Sequence, residues 1–296
     1  MNDKFWENPD LLVLSGSHLY GYSTPESDKD YIGFVLPPLG VEIGMINRFE
    51  QKTPSQEELD KGEDQKIYSL RKFLNQLTRN DTQCLEILFA PESHIEKCTT
   101  IGETIINNRN LFISKQLYKR FVGYAYSEFR KVRGVAFVPE KQTPNEQKIL
   151  DQIRNCFNPS KKNMDLIIDM LYENQPKKEV SVYRQLGKQR KNSINKFEYS
   201  VKNASHCIRL LMEGIEILNT GNIVYPFNEQ KISTLRKIRA GETTFKEVED
   251  LFNCLMEEIK NVAGKSKLPQ NVNMKRVNDL FVDLTLRFSQ KNQKLF

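Results

Sequence analysis

Two aspartates, Asp28 and Asp30, follow a Gly16-Ser17 pair after an interval of ten residues. Carboxylates at i and i+2 of an extended strand point to the same side. Held side by side they repel, and a fold keeps them together by supplying positive charge, most simply a bound divalent cation. The Gly-Ser turn just upstream offers backbone N–H groups of the kind that hold phosphate oxygens. A cation site beside a phosphate cradle points to chemistry on a nucleotide. The alternative is an acidic surface turn after an ordinary strand end.

Short elements must position these groups. Asp10-Leu11-Leu12-Val13-Leu14 has the length and apolar content of a buried strand that stops at Ser15-Gly16-Ser17. Asp30 through Leu36 reads as a second strand, closed by Pro37-Pro38. Residues 50–63 are polar and read as a loop, and 64–68 as extended chain. Ser69 is placed to N-cap a helix over 70–77, whose Leu70, Phe73, Leu74 and Leu77 share one face. The apolar run 85–89 ends at Pro91. Beyond about residue 101 strand signals are scarce. Helical periodicity covers 101–131, 143–157, 162–174, 195–220, 228–239, 243–264 and 272–290, with loops expected at 134–145, 158–163 and 175–193. The division implied is 1–108, carrying the candidate chemistry, and 109–296, mainly helical.

Bulk properties narrow the classes. At 296 residues the chain can bury a real core. No apolar run approaches the roughly 18 residues that span a bilayer, and Met1–Trp6 lacks a secretory pattern. Five scattered cysteines, none in a C-x-x-C, fit a reduced cytoplasmic protein with structural thiols. No Cys/His cluster has zinc spacing. Charge is uneven: residues 1–100 hold ten Lys/Arg against seventeen Asp/Glu, and the remainder is basic, for a net +6. A basic remainder is either a solvated surface or a face for a polyanion. The basic stretch Lys177–Lys191 is either a linker or a phosphate-contacting segment.

Three blocks of this sequence resemble one family. Gly16-Ser17 with Asp28-Lys29-Asp30-Tyr31 is similar to the G-[GS]…D-x-D signature of the DNA polymerase β-like nucleotidyltransferase superfamily. Lys202-Asn203-Ala204-Ser205-His206-Cys207-Ile208-Arg209-Leu210-Leu211, followed by Glu213, resembles the K-x-A-x-H-x-x-R-L-L stretch of the RNA-ligase-associated (YcgL/RlaP-type) nucleotidyltransferases. The middle segment Asp64…Tyr68-Ser69-Leu70-Arg71-Lys72-Phe73…Asn80…Leu85-Glu86 is similar to theirs as well, although Asn80-Asp81 stands where members often have Asn-Pro. The resemblance spans about residues 10–245, and all three blocks come in order.

The resemblance implies an α+β fold: a polymerase β-like core, a small mixed sheet with helices, followed by a mainly helical C-terminal domain closing a cleft. It implies two Mg²⁺ (or Mn²⁺) ions on Asp28, Asp30 and a third carboxylate, either Asp64 or its neighbour Glu63, with the strand register deciding. Gly16 and Ser17 would hold the triphosphate of an NTP. Lys202, His206 and Arg209, at i, i+4 and i+7 of one helix, would hold phosphates or leaving pyrophosphate; without the family they read as a solvated basic face. The implied reaction moves a nucleoside monophosphate from an NTP to a hydroxyl, first an RNA (tRNA-like) 3′ end. Alternatives are a Ser, Thr or Tyr hydroxyl of a protein, or a non-catalytic nucleotide- or RNA-binding module. No membrane partner is implied, and the oligomeric state is left open.

Overall fold

The computed structural model describes residues 4–25, 27–45, 48–55, 64–139, 144–157, 177–181 and 188–289. In chain order the main elements are β1 (Leu11–Leu14), α1 (Gly16–Tyr20), β2 (Asp30–Val35), α2 (Leu39–Glu42), β3 (Gln51–Lys52), β4 (Asp64–Ser69), α3 (Leu70–Thr78), α4 (Thr82–Glu86), β5 (Ile95–Cys98), α5 (Thr100–Asn107), α6 (Leu117–Val132), β6 (Val135–Pro139), α7 (Pro144–Phe157), β7 (Lys177–Ser181), α8 (Lys188–Phe197), α9 (Val201–Thr220), α10 (Glu229–Ala240), α11 (Phe245–Lys265) and α12 (Met274–Ser289). They form two compact units. The first joins residues 1–126 with 205–296, and the second is 127–204.

In the first unit the strands run β3-β4-β2-β1-β5 across one sheet. β2 and β4 are parallel, and the other pairs are antiparallel. The sheet is mixed and small, and helices dominate the chain after it, as the α+β expectation has it. Leu11, Val13, Phe34 and Ile67 are buried within it. Asp10 ties its end: its carboxylate accepts from Leu36 N at 2.7 Å and from the Thr99 hydroxyl at 2.8 Å. The Ser69 side chain caps α3 by accepting from Lys72 N at 3.1 Å. Leu70, Phe73, Leu74 and Leu77 are all buried, and Phe73 stacks on Phe34 at 4.6 Å.

Several local expectations change. The 101–131 run breaks into α5 and α6, because a 3-10 turn at Arg109–Phe112 separates them. The loop expected at 50–63 begins with the short strand β3; Glu63 lies outside the described residues, as do 158–163 and 162–174. In the second unit, residues 135–139 and 177–181, expected in loops, pair as antiparallel β6 and β7. Val135-Ala136-Phe137-Val138 has strand-forming side chains, but its partner lies some forty residues away, where local pattern carries no information. The loop expected to 193 is already helix from Lys188. Within this unit Asn203 joins α9 to α6: its amide donates to Glu128 at 2.5 Å and accepts from Ser200 Oγ at 2.8 Å.

All five cysteines are free thiols. Among the described residues no helix is long and apolar enough to cross a membrane.

Candidate active site

The site is built where β1 ends. The β1–β2 register continues one step past Leu14↔Tyr31, so Ser15 N donates to Asp30 O at 2.8 Å. The chain then turns at Gly16 with φ +66°, and a Cβ added there would lie 2.6 Å from Asp30 Oδ2. Gly16 is thus laid against the Asp30 carboxylate, and glycine is required twice over: for the left-handed φ and for the missing side chain. Gly16→Ala is expected to lower stability by about 1–2 kcal/mol from backbone strain alone, read as a lower urea midpoint with unchanged slope. An unaltered midpoint would remove this close approach.

Asp64 enters through β4. In the parallel β2–β4 pair Asp30 and Asp64 are direct Cα partners. Partners across a ladder project to the same face, about 4.8 Å apart along the hydrogen-bonding direction. Asp28 stands two residues before the strand begins, exposed on the connecting loop. The expectation that Asp28 and Asp30 share one strand is therefore corrected; the pair the sheet aligns is Asp30 with Asp64. The loop is drawn back toward α1 by His18, whose Nε2 lies 3.4 Å from Ser27 O. His18 O in turn accepts from His94 Nε2 at 3.2 Å, which gives both histidines positions in the scaffold.

Carboxylate oxygens are the donors that Mg²⁺ and Mn²⁺ take. The donor chemistry fits such ions. Among the described residues no three His, Cys, Asp or Glu side chains converge closely enough to chelate one.

The short helix α1 is held from its far end. Gly21 ends it at φ +87°. Phe227 N donates to Tyr20 O at 3.2 Å, and Arg236 Nη2 to Gly21 O at 3.1 Å. The Tyr20 ring stacks on Tyr22 and Phe227.

Tyr20 also leads into a buried charge cluster. Its hydroxyl donates to Glu86 Oε2 at 2.5 Å. Arg209 Nη1 donates to Glu86 Oε1 at 2.8 Å and to Glu213 Oε2 at 2.6 Å. Its guanidinium lies over the Tyr20 ring at 4.1 Å. Tyr225 completes the cluster by donating to Glu213 Oε1 at 3.0 Å. Burial works against the charge on Arg209, but Glu213 and Glu86 outweigh it and hold it cationic. Burial pushes the Glu213 carboxyl up; Arg209 opposes this and Glu86 adds to it. Two carboxylates share one guanidinium, so the second keeps a raised affinity for a proton.

This corrects the role expected for Arg209. It is 4 % exposed, and its Nη1 donates to two buried carboxylates, which gives it a place inside the fold and not on a solvated phosphate-binding face. The helical spacing of Lys202, His206 and Arg209 is as expected, but α9 runs inward. Lys202 is exposed, His206 is half-buried with its ring edge-on to Tyr124 at 5.1 Å, and Arg209 is buried. The middle of α9 is closely packed at Gly214, where a Cβ would lie 2.6 Å from Ile259 and 2.9 Å from Phe121. Tyr199, just before α9, is fully buried. The partners Glu86, Glu213, Tyr20 and Tyr225 were missed as a group; only the i, i+4 spacing of Arg209 and Glu213 signals any of it.

Arg71 and Lys72 are engaged locally. Arg71 pairs with Glu42 at 2.5 Å, and Lys72 lies 3.9 Å from Glu50. A surface cavity of about 490 Å³, lined by Arg109, Asn110, Thr220 and Asn222 among others, contains none of the site residues.

The family model RlaP, the RNA repair pathway DNA polymerase beta family, matches residues 11–283. The chain belongs to this family. The match runs from the first residue of β1 into α12 and so takes in all three sequence blocks. The RNA repair pathway family is polymerase β-like, of nucleotidyltransferase type. The chain is also similar to a protein of enterobacteria phage T4 described as an uncharacterized 38.9 kDa protein in the nrdC-mobD intergenic region, at 24% identity over 310 residues, covering 88% of this chain and 91% of that protein. No solved structure matches. Within the family's blocks, the Arg209–Glu86 ion pair is a direct link from the third block to the middle one.

Proposed function

We propose that this chain, as a member of the DNA polymerase β-like nucleotidyltransferase superfamily, transfers a nucleoside monophosphate from an NTP to a hydroxyl acceptor and releases pyrophosphate. The observation that carries the reading is the in-register Asp30–Asp64 pair with Gly16 laid against the Asp30 carboxylate, in a chain of this family. The acceptor oxygen bonds to the α-phosphorus as the bond from that phosphorus to the β-phosphate bridging oxygen breaks. The acceptor loses its proton, and pyrophosphate carries away the electron pair.

Asp28, Asp30 and Asp64 would hold two Mg²⁺ or Mn²⁺ ions. When bound, such ions supply charge neutralisation for an in-line displacement. The chain's own residues do the rest. Gly16 and Ser17 present backbone N–H groups and a hydroxyl to the triphosphate. Lys202 and His206 are kept as phosphate ligands on the strength of the family block; Arg209 is not. Residues 1–108 carry the carboxylates in this reading, and the helical part from 109 carries the cations. The acceptor we favour is an RNA 3′ end, supported by the family's RNA repair description and by the basic remainder of the chain. The free thiols fit a cytoplasmic setting.

The test is to incubate the protein with each α-³²P-labelled NTP, Mg²⁺ or Mn²⁺, and either total RNA or cell lysate. Label in RNA is the expected result. Label in protein alone would replace the acceptor, and no label with any NTP would end the enzymatic reading.

A further inference from the structure

The charge of this chain is partitioned by its folded units. Residues 127–204 hold sixteen Lys/Arg against nine Asp/Glu, a balance of +7, while the first unit holds 28 against 29, a balance of −1. The whole positive excess thus lies in the continuous unit that carries none of Asp28, Asp30 and Asp64. Within it α8, Lys188–Phe197, concentrates the effect: Lys188, Arg190, Lys191 and Lys196 in ten residues, with no acid.

The rest of α8 fits the same purpose. Its apolar residues are Ile194 and Phe197, three apart, which make a narrow contact strip instead of the broad stripe of a core helix. Its remaining positions are Gln189, Asn192, Ser193 and Asn195. Ser193 donates to Tyr199 O at 3.0 Å. Lys196 is exposed and lies 4.8 Å from the Phe197 ring centroid. Cations and amides on a helix with so little apolar surface suit a phosphodiester backbone, since phosphates take both ionic and hydrogen-bond donors. They suit an anionic membrane poorly, because a helix lying in the interface needs a large apolar face.

We infer that α8 is a docking surface for the acceptor strand and binds the phosphate backbone of single-stranded RNA. This rests on the proposed transfer to RNA for its meaning, but it is tested by binding alone.

The experiment is fluorescence anisotropy of the full chain with a 5′-fluorescein 20-nucleotide RNA, without NTP, over a range of salt. The variant Arg190→Ala with Lys191→Ala and Lys196→Ala is expected to bind about tenfold more weakly, with a salt slope shallower by about 2, since each lost single-strand phosphate contact removes about 0.7. Lys237→Ala with Lys260→Ala and Lys267→Ala removes the same charge from exposed positions of the first unit and is expected to leave both values unchanged. Native affinity in the α8 variant, or equal loss in both variants, would overturn the inference. So would binding of the native chain to phosphatidylserine vesicles without binding to RNA. Should the α8 variant not fold, acetylation footprinting of the native chain replaces it: RNA should protect the exposed Lys196, and absence of protection refutes the assignment. Asp28→Asn with Asp30→Asn is expected to bind RNA normally. If that double variant retained pyrophosphate release, the catalytic reading would fail while the binding result stood.

Discussion

Asp28→Asn with Asp30→Asn should lower NTP-dependent pyrophosphate release by about 1,000-fold or more, the scale on which removing a charge-stabilising group from a transfer site acts. The exchange keeps size and shape and removes only charge. A second consequence runs the opposite way. Asp30 and Asp64 are direct partners on parallel strands, and like charges directly across a ladder cost a few tenths to about 1 kcal/mol. Asp30→Asn alone should therefore leave the chain as stable as the native one or slightly more so in EDTA. Adding Mg²⁺ should raise the melting temperature of the native chain and not that of the variant. A site residue is marked by this combination of activity lost with stability kept. Unchanged turnover in the double variant would remove the carboxylates from the mechanism.

Arg209→Met should be the most destabilising single change. It leaves Glu86 and Glu213 buried without their cation, and stripping one partner from a buried ion cluster costs about 3–5 kcal/mol. Urea unfolding should show it directly. Adding Glu86→Gln and Glu213→Gln to Arg209→Met should recover most of the loss, because it is the unpaired charge that is costly. Failure to recover would mean that packing of the guanidinium over Tyr20 dominates.

The cluster also sets a pH dependence. Burial raises the Glu213 carboxyl, partly offset by Arg209. Between the ordinary carboxylate range and the raised value, the folded chain holds a proton that the unfolded chain has released. Stability then falls as pH rises through that interval and is flat above it. In Glu213→Gln this slope should disappear, seen as urea midpoints that no longer decline with pH. A native decline that persisted in the variant would assign the titration elsewhere.

The sheet and the helix after it were legible because their signals are local. Alternating or continuous apolar runs end at Gly or Pro, and Ser69 stands one residue before a face of Leu and Phe. Asp64 was legible only as one of two candidates, since register across a parallel pair depends on contacts the sequence does not display; the β2–β4 ladder sets it opposite Asp30. The role of Arg209 was misread because helical spacing reports which side chains share a face. It does not report whether that face meets solvent or Glu86, 123 residues away. The β6–β7 pair escaped for the same reason.

The first unit is interrupted in sequence by the second, and this bears on its birth at the ribosome. Tyr20 and Glu86 emerge early, whereas Arg209 follows Glu86 by 123 residues. At about 5–20 residues per second the carboxylate waits on the order of ten seconds for its cation, and until then it resists burial. The continuous basic unit is complete before residue 205 is made. We therefore expect the nascent chain to expose the basic residues of 127–204 before Arg209, the partner of Glu86, has emerged. In that order of assembly, contact with a polyanion can precede the capacity to act on it.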